Sequence, residues 1–147
     1  MKKFTLALIA HDSKKEDIVE LANSYREKLA DMHLIATRST GEQIQAKTGL
    51  PITLMQSGPL GGDQQIGSLV ASGVVNAVIF LRDPLTLQPH EPDITALLRV
   101  CDVHNVPLAT NLASAEGILH LISKYPDVLE KTSLKAQINN ELSKVYC

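Results

Sequence analysis

Tryptophan is absent from this 147-residue chain, and only three tyrosines and two phenylalanines are present. Proteins that grip single-stranded nucleic acid do so largely by stacking bases on aromatic rings, so that class has little to build on. A surplus of one charge is missing too. Fourteen basic against 16 acidic residues leave a formal net charge of -2, without the footprint that nucleic acid or an anionic membrane requires. The two cysteines, Cys101 in an apolar stretch and Cys147 at the end, are too few for a disulfide scaffold and lack metal-ligand spacing. Both are expected as free thiols in a reducing, cytoplasmic setting. Neither H-E-x-x-H nor paired Cys motifs occur, so no metal is expected. A phosphate-binding Gly-Lys-Ser/Thr is lacking, and no G-x-G-x-x-G follows the first apolar run.

Two apolar stretches fall short of membrane or export signals. Met1-Lys2-Lys3 followed by Phe4 to Ala10 resembles the start of a signal peptide, but the run ends in His11-Asp12 without a small-residue cleavage site. It reads as a buried strand. Between Asp63 and Arg82 no residue is charged, yet Gln64, Gln65, Ser68, Ser72 and Asn76 interrupt the stretch. A helix followed by a strand is the better reading.

The chain is 44% hydrophobic, which at this length supports one domain spanning residues 1–147 with a real core. Short apolar runs recur at Phe4 to Ala10, Leu34 to Thr37, Ile52 to Met55, Val74 to Leu81 and Val106 to Ala109. Continuous runs of this kind are strands buried on both faces of a parallel sheet. After the first, Ser13 and Glu16 have the spacing of a capping box, and Ile18, Ala22, Tyr25 and Leu29 repeat at helical spacing. Further helices are expected over Glu42 to Lys47, Asp63 to Ser72, Asp93 to His104, Ser114 to Lys124 and Ser133 to Val145, with Gly49 and Gly73 as C-terminal caps. Strand and helix alternating in this way predict an α/β fold: a single doubly wound, Rossmann-like or flavodoxin-like domain with a five-stranded, mainly parallel sheet.

Ligands in such folds bind beyond the carboxyl ends of the strands. The residues there are His11-Asp12, Arg38-Ser39-Thr40-Gly41, Ser57-Gly58-Pro59-Leu60-Gly61-Gly62-Asp63, Arg82-Asp83-Pro84 and Thr110-Asn111. Two of these loops place hydroxyls and glycines ahead of a helix, where free N–H groups and the helix dipole suit a phosphate. Lys15 adds a point charge. Asp63 fits a helix cap as well as it fits a catalytic base on local sequence alone. With Asp12, Asp83, Asp93 and His90 at the same edge, the set suits proton abstraction beside a carbonyl of a small phosphorylated compound. A base beside a helix N-terminus is expected to stay ionised and weakly basic, leaning on His90. His33, His104 and His120 read as structural.

The segment Ser57 to Gln65, with Ala10-His11-Asp12 before it and Asp83-Pro84-Leu85 through Pro89-His90-Glu91-Pro92-Asp93 after it, resembles the methylglyoxal synthase family from about Leu6 to about Leu119. The resemblance implies a lyase, without cofactor, that converts dihydroxyacetone phosphate to methylglyoxal and inorganic phosphate through an enediolate. It further implies a homohexamer inhibited by phosphate. On it, Asp63 is the catalytic base, and His90 hydrogen-bonds the substrate oxygens and moves protons between them. Asp12, Asp83 and Asp93 are carboxylates of the same site that orient and tune the histidines. His11, Lys15, Thr37, Arg38, Ser39, Thr40, Ser57 and Gly58 fall on substrate and phosphate positions.

Two departures stand out. Relatives often carry Thr-Gly-Thr-Thr-Gly where this chain reads Thr37-Arg38-Ser39-Thr40-Gly41, so Arg38 adds bulk and charge. The last arginine here is Arg99, whereas some relatives place one near the C-terminus that reaches a neighbouring subunit. A phosphosugar isomerase and a non-catalytic effector-binding domain are the alternatives. A receiver domain is excluded, because the third and fifth strands end in Gln56-Ser57 and Thr110-Asn111 instead of a phosphoacceptor Asp and a Lys.

Overall fold

The computed structural model describes residues 3–124 and 144–145. Five strands form one sheet: β1 (Thr5–Ala10), β2 (His33–Ala36), β3 (Thr53–Leu54), β4 (Ala77–Leu81) and β5 (Leu108–Ala109). Their order is β3-β2-β1-β4-β5, and every pairing is parallel. The helices are α1 (Lys15–Ser24), α2 (Arg26–Leu29), α3 (Arg38–Thr48), α4 (Gly62–Ala71), α5 (Glu91–Val103) and α6 (Leu112–Lys124). The doubly wound architecture is therefore present, with a sheet that is wholly parallel.

All six residues of β1 and all five of β4 are buried, because helices cover both faces of the sheet centre. Leu6, Leu8 and Ala10 pack with Ile18 and Leu21 of α1, Ile44 of α3 and Leu119 and Ile122 of α6. Pointing the other way, Ala7, Ile9 and Phe80 pack with Ile66 and Val70 of α4 and Ile94 and Leu97 of α5. Each such Leu, Ile or Phe removed from water contributes about 1.5–3 kcal/mol before chain entropy is set against it. The runs at 52–55 and 106–109 supply only two paired residues each, since they lie at the sheet edges. β4 begins at Ala77, later than expected at Val74. The N–H groups of Val74 and Val75 are bonded to Leu69 instead, closing the end of α4.

The helix starts also differ from expectation. No capping box forms before α1; a single tight turn over Asp12–Lys14 leads in, and Ser13 Oγ donates to Asp83 Oδ2 at 3.0 Å. Tyr25 (φ -105°, ψ 18°) separates α1 from α2, so the expected first helix is two. α3 starts at Arg38, four residues before Glu42, because tertiary contacts hold its first turn. Thr40 Oγ1 donates to the Ala10 carbonyl and accepts the Ala10 N–H, both at 3.3 Å. Gly49 ends α3 with φ 73°, as its position predicts, and Gly73 lies just past the Ser72 cap of α4. The helix expected over Ser133 to Val145 falls outside the described residues except for Lys144 and Val145, which are helical; Cys147 is also outside them.

Candidate active site

The loop from β3 to α4 folds into a closed turn. The Ser57 carbonyl accepts N–H bonds from Leu60 at 3.0 Å and Gly62 at 2.9 Å, and the Gly58 carbonyl accepts that of Gly61 at 3.0 Å. Gly61 takes φ 101°, which delivers the chain into α4. A Cβ on Gly62 would overlap the Gln56 carbonyl, so only glycine allows α4 to start this close to the exit of β3. Asp63 follows in the first turn, but it does not cap the helix.

Its side chain is fully buried and faces His90, with Oδ2 3.3 Å from Nε2. His90, also buried, sits at the N-cap position of α5. Neither Asp63 oxygen has a hydrogen-bond partner, and neither does His90 Nδ1. The pair is close but not aligned as a hydrogen bond. Burial raises the Asp63 carboxyl above the ordinary 3.8, with the nearby Asp93 pushing the same way and His90 opposing both. The weakly basic Asp63 expected from helix position is thus corrected: burial raises its proton affinity.

His11 completes a buried group. Its ring meets Phe80 edge-on at 5.2 Å and His90 at 6.1 Å between centroids. Nδ1 accepts the Asp83 backbone N–H at 2.8 Å, which assigns the ring proton of the neutral form to Nε2. That nitrogen is buried without a partner. Burial, followed by the charges of His90 and Arg82, lowers the His11 pKa and keeps it neutral. Four polar atoms of Asp63, His90 and His11 are therefore buried with no hydrogen-bond partner among the described residues, an exception in native proteins that calls for an explanation such as a catalytic role.

The phosphate candidates surround the ends of β1 and β2. Lys15, the buried first residue of α1, donates from Nζ to the Ala10 carbonyl and to Asp12 Oδ1, both at 2.9 Å. Lys15 and Thr40 thus converge on the Ala10 carbonyl, and Thr37 Oγ1 donates to Thr40 Oγ1 at 3.3 Å. Ser39 lies in the first turn of α3, exposed, and Arg38 extends along that helix with Nη1 3.9 Å from Glu42 Oε1. Gly58 packs against the imidazole: a Cβ there would stand 2.7 Å from His90 Nε2.

The outer carboxylates have other partners. The exposed side chain of Asp12 pairs with Lys15, whose hydrogen bond lowers its pKa. Asp83 accepts from Ser13 and from the Leu85 N–H, and it reaches His11 through its backbone only. Asp93 Oδ1 accepts from Gln64 Nε2 at 2.6 Å, tying α5 to α4. Gln64 was not among the sequence candidates, nor were Gln65, which accepts the Gln56 N–H at 2.7 Å, and Phe80. The two glutamines directly follow Asp63, which was the available signal. Among the described residues no cluster of three His, Cys, Asp or Glu could hold a metal ion, and no helix is long and apolar enough to cross a membrane.

Residues 17–110 match the family model described as an MGS-like domain. The methylglyoxal synthase of Moorella thermoacetica is 59% identical over 121 residues, 82% of this chain and 94% of that protein. That of Cupriavidus metallidurans is 64% identical over 114 residues, 78% and 81% of the two chains. A crystal structure of methylglyoxal synthase from Elizabethkingia anophelis superposes with a TM-score of 0.75 at 44% identity, covering 80% of this chain and 78% of that one.

Proposed function

The chain belongs to the methylglyoxal synthase family, and from that premise we propose that it is a lyase converting dihydroxyacetone phosphate to methylglyoxal and inorganic phosphate, with Asp63 as general base. The observation that carries this reading is the buried Asp63 carboxylate, 3.3 Å from His90 and without a hydrogen-bond partner. A carboxylate whose proton affinity is raised by burial is a better base toward a weakly acidic C–H once ionised.

Asp63 removes a proton from the hydroxymethyl carbon, and the C–H electrons form the carbon-carbon double bond of the enediolate. His90 and the Nε2–H of His11 donate to the substrate oxygens on which charge develops. The carbon-oxygen bond to phosphate then breaks with its electron pair leaving on phosphate. The hydroxyl proton of the former hydroxymethyl group is given up as the aldehyde forms, and the methylene carbon takes a proton to become methyl. Lys15, Thr37, Ser39, Thr40, Ser57, Gly58 and Arg38 hold the phosphate, and their donors stabilise the leaving group as it gains charge. Elimination requires that bond out of the enediolate plane, where it overlaps the π system; an isomerase would hold it in plane. Asp93, held by Gln64, lies beside Asp63, while Asp12 and Asp83 position Lys15 and His11.

The reading extends to a single domain over 1–147, working in the cytoplasm as a homohexamer that phosphate inhibits. Support for assembly comes from Leu60, Leu85 and Leu87, exposed on the loops that carry the site. Neither a cofactor, a membrane nor nucleic acid enters the reaction. Incubating the purified protein with dihydroxyacetone phosphate should yield methylglyoxal and phosphate in equal amounts. In Asp63→Asn, turnover should fall by at least ~10²-fold, the range general base catalysis supplies, while phosphate still binds. Folded protein that forms glyceraldehyde 3-phosphate without releasing phosphate would transfer the assignment to an isomerase.

A further inference from the structure

Asp63 is followed in α4 by two exposed glutamines whose amides reach different elements. Gln64 Nε2 donates at 2.6 Å to Oδ1 of Asp93, 29 residues on in the first turn of α5. Gln65 Oε1 accepts the Gln56 N–H at 2.7 Å, just ahead of the closed turn at Ser57. We propose that the two glutamines are positioning residues for the two halves of the reaction site, Gln64 for the Asp63–His90 pair and Gln65 for the phosphate turn at Ser57 and Gly58. The inference rests on the roles given above to Asp63 and to that turn.

Asp63 and His90 do not hold one another, since their closest atoms stand 3.3 Å apart without hydrogen-bond alignment. Beyond them α4 and α5 pack through Ile66, Val70, Ile94 and Leu97. Apolar contact of this kind is non-directional, so it resists separation of the helices more than sliding of one along the other. A hydrogen bond from an amide to a carboxylate, joining the two first turns, supplies the missing direction. Gln64 adjoins Asp63, and Asp93 gives its N–H to the His90 carbonyl at 3.0 Å. The Gln64–Asp93 bond therefore fixes the spacing of base and imidazole from the residues beside them.

On the other side, β3 contributes only two paired residues. Met55 gives its N–H to the Ala36 carbonyl at 2.8 Å, and the next N–H, that of Gln56, leaves the sheet for Gln65. The three bonds inside the turn set its shape, and Gln65 anchors its entry to α4 independently of them. Each glutamine uses one end of its amide: Gln64 must donate and Gln65 must accept. An ionised glutamate keeps the size of the side chain and can only accept, so it breaks the first bond and preserves the second.

Four variants of the full-length protein, Gln64→Leu, Gln64→Glu, Gln65→Leu and Gln65→Glu, test this. The readouts are steady-state turnover of dihydroxyacetone phosphate and calorimetric binding of two probes. Inorganic phosphate reports on the turn alone, and 2-phosphoglycolate adds a carboxylate in the place of the enediolate. Both Gln64 variants should lower kcat about tenfold, the loss of one hydrogen bond to a charged group, and weaken 2-phosphoglycolate while phosphate binds as in wild type. Gln65→Leu should instead raise KM and the phosphate Kd about fivefold, with kcat changed less than about twofold. Gln65→Glu should restore both constants. Each glutamate adds one charge to the same helical turn, so the contrast between the two reads the direction of the bond and not the charge. Equal effects of the two glutamate variants, including none, or equal effects of the two leucine variants on phosphate binding, overturn the proposal. Wild type that forms no methylglyoxal would sink the assignment of the reaction instead, and the two binding constants would still decide the roles of Gln64 and Gln65.

Discussion

Replacing Gly58 by alanine isolates the placement of His90 from every other property of the site. The new Cβ would stand 2.7 Å from His90 Nε2 and 3.3 and 3.4 Å from its two ring carbons. The shortest approach falls about 0.7 Å short of ordinary contact at 3.4 Å. His90 is the partner that must yield, because Gly58 is held in the closed turn by its carbonyl bond to Gly61. Nε2 is also the atom that faces Asp63 at 3.3 Å, so the displacement acts on the pair that carries the proposed chemistry. A misplacement approaching 1 Å costs on the order of 10²-fold in rate. The proposed phosphate donors, by contrast, are a backbone N–H that alanine retains and side chains other than His90, whose atoms are the nearest to the new methyl. Steady-state methylglyoxal formation should therefore show kcat reduced about 30- to 100-fold, with KM changed less than about threefold. Thermal unfolding should show a loss of about 1–3 kcal/mol from overpacking, enough to detect but not to unfold the protein. A variant with kcat within threefold of wild type would refute the link between His90 position and rate.

Asp63→Asn should also change stability, in a direction opposite to its effect on rate. The folded-state pKa of Asp63 is raised above 3.8, so the native state holds that proton more tightly than the unfolded chain, and wild type loses stability as pH climbs through the raised value. The variant should thus be more stable than wild type by on the order of 1 kcal/mol at pH 8, with the gain fading toward pH 4; urea midpoints that differ equally at both pH values would contradict this. In α6, a Cβ on Gly117 would meet nothing within 4 Å, and Gly117→Ala should add about 0.5–1 kcal/mol through helix propensity alone, read as a rise in the thermal midpoint without change in kcat.

Much of the architecture was legible because parallel strands under two helical layers need unbroken apolar runs, and β1 and β4 supply them. Edge position was not legible: Ile52 to Met55 and Val106 to Ala109 look like the central runs, yet each contributes two paired residues. The sequence places the start of α3 too late because Arg38-Ser39-Thr40-Gly41 has the composition of a loop, whereas the Thr40 bonds to Ala10, 30 residues away, help hold it as helix. Ser13 shows the same limit from the other side. Its spacing to Glu16 suits a cap, but Asp83 lies within reach and takes the hydroxyl. In the site, the residue types at the strand ends suggest proton transfer beside a phosphate, the reading proposed above. Their pairings did not follow, since the contact of Asp63 with His90 and the turning of Asp12 and Asp83 toward Lys15 and Ser13 depend on which loops meet. The basicity of Asp63 was misread for a related reason: helix position is visible in sequence, and desolvation is not.

The closed turn from Ser57 to Gly62 also acts as a ruler. The proposed phosphate position at Ser57 and Gly58 and the proposed base Asp63 are separated by one short loop, tied by three backbone bonds and closed at Gly62 against the Gln56 carbonyl. Under the proposed chemistry, the span from phosphorus to the carbon that is deprotonated is therefore set by the backbone rather than by adjustable side chains. A three-carbon ketose phosphate brings its hydroxymethyl carbon to the base when its phosphate is seated. A longer sugar phosphate seated in the same way presents a different carbon, so discrimination by chain length is built into the loop itself.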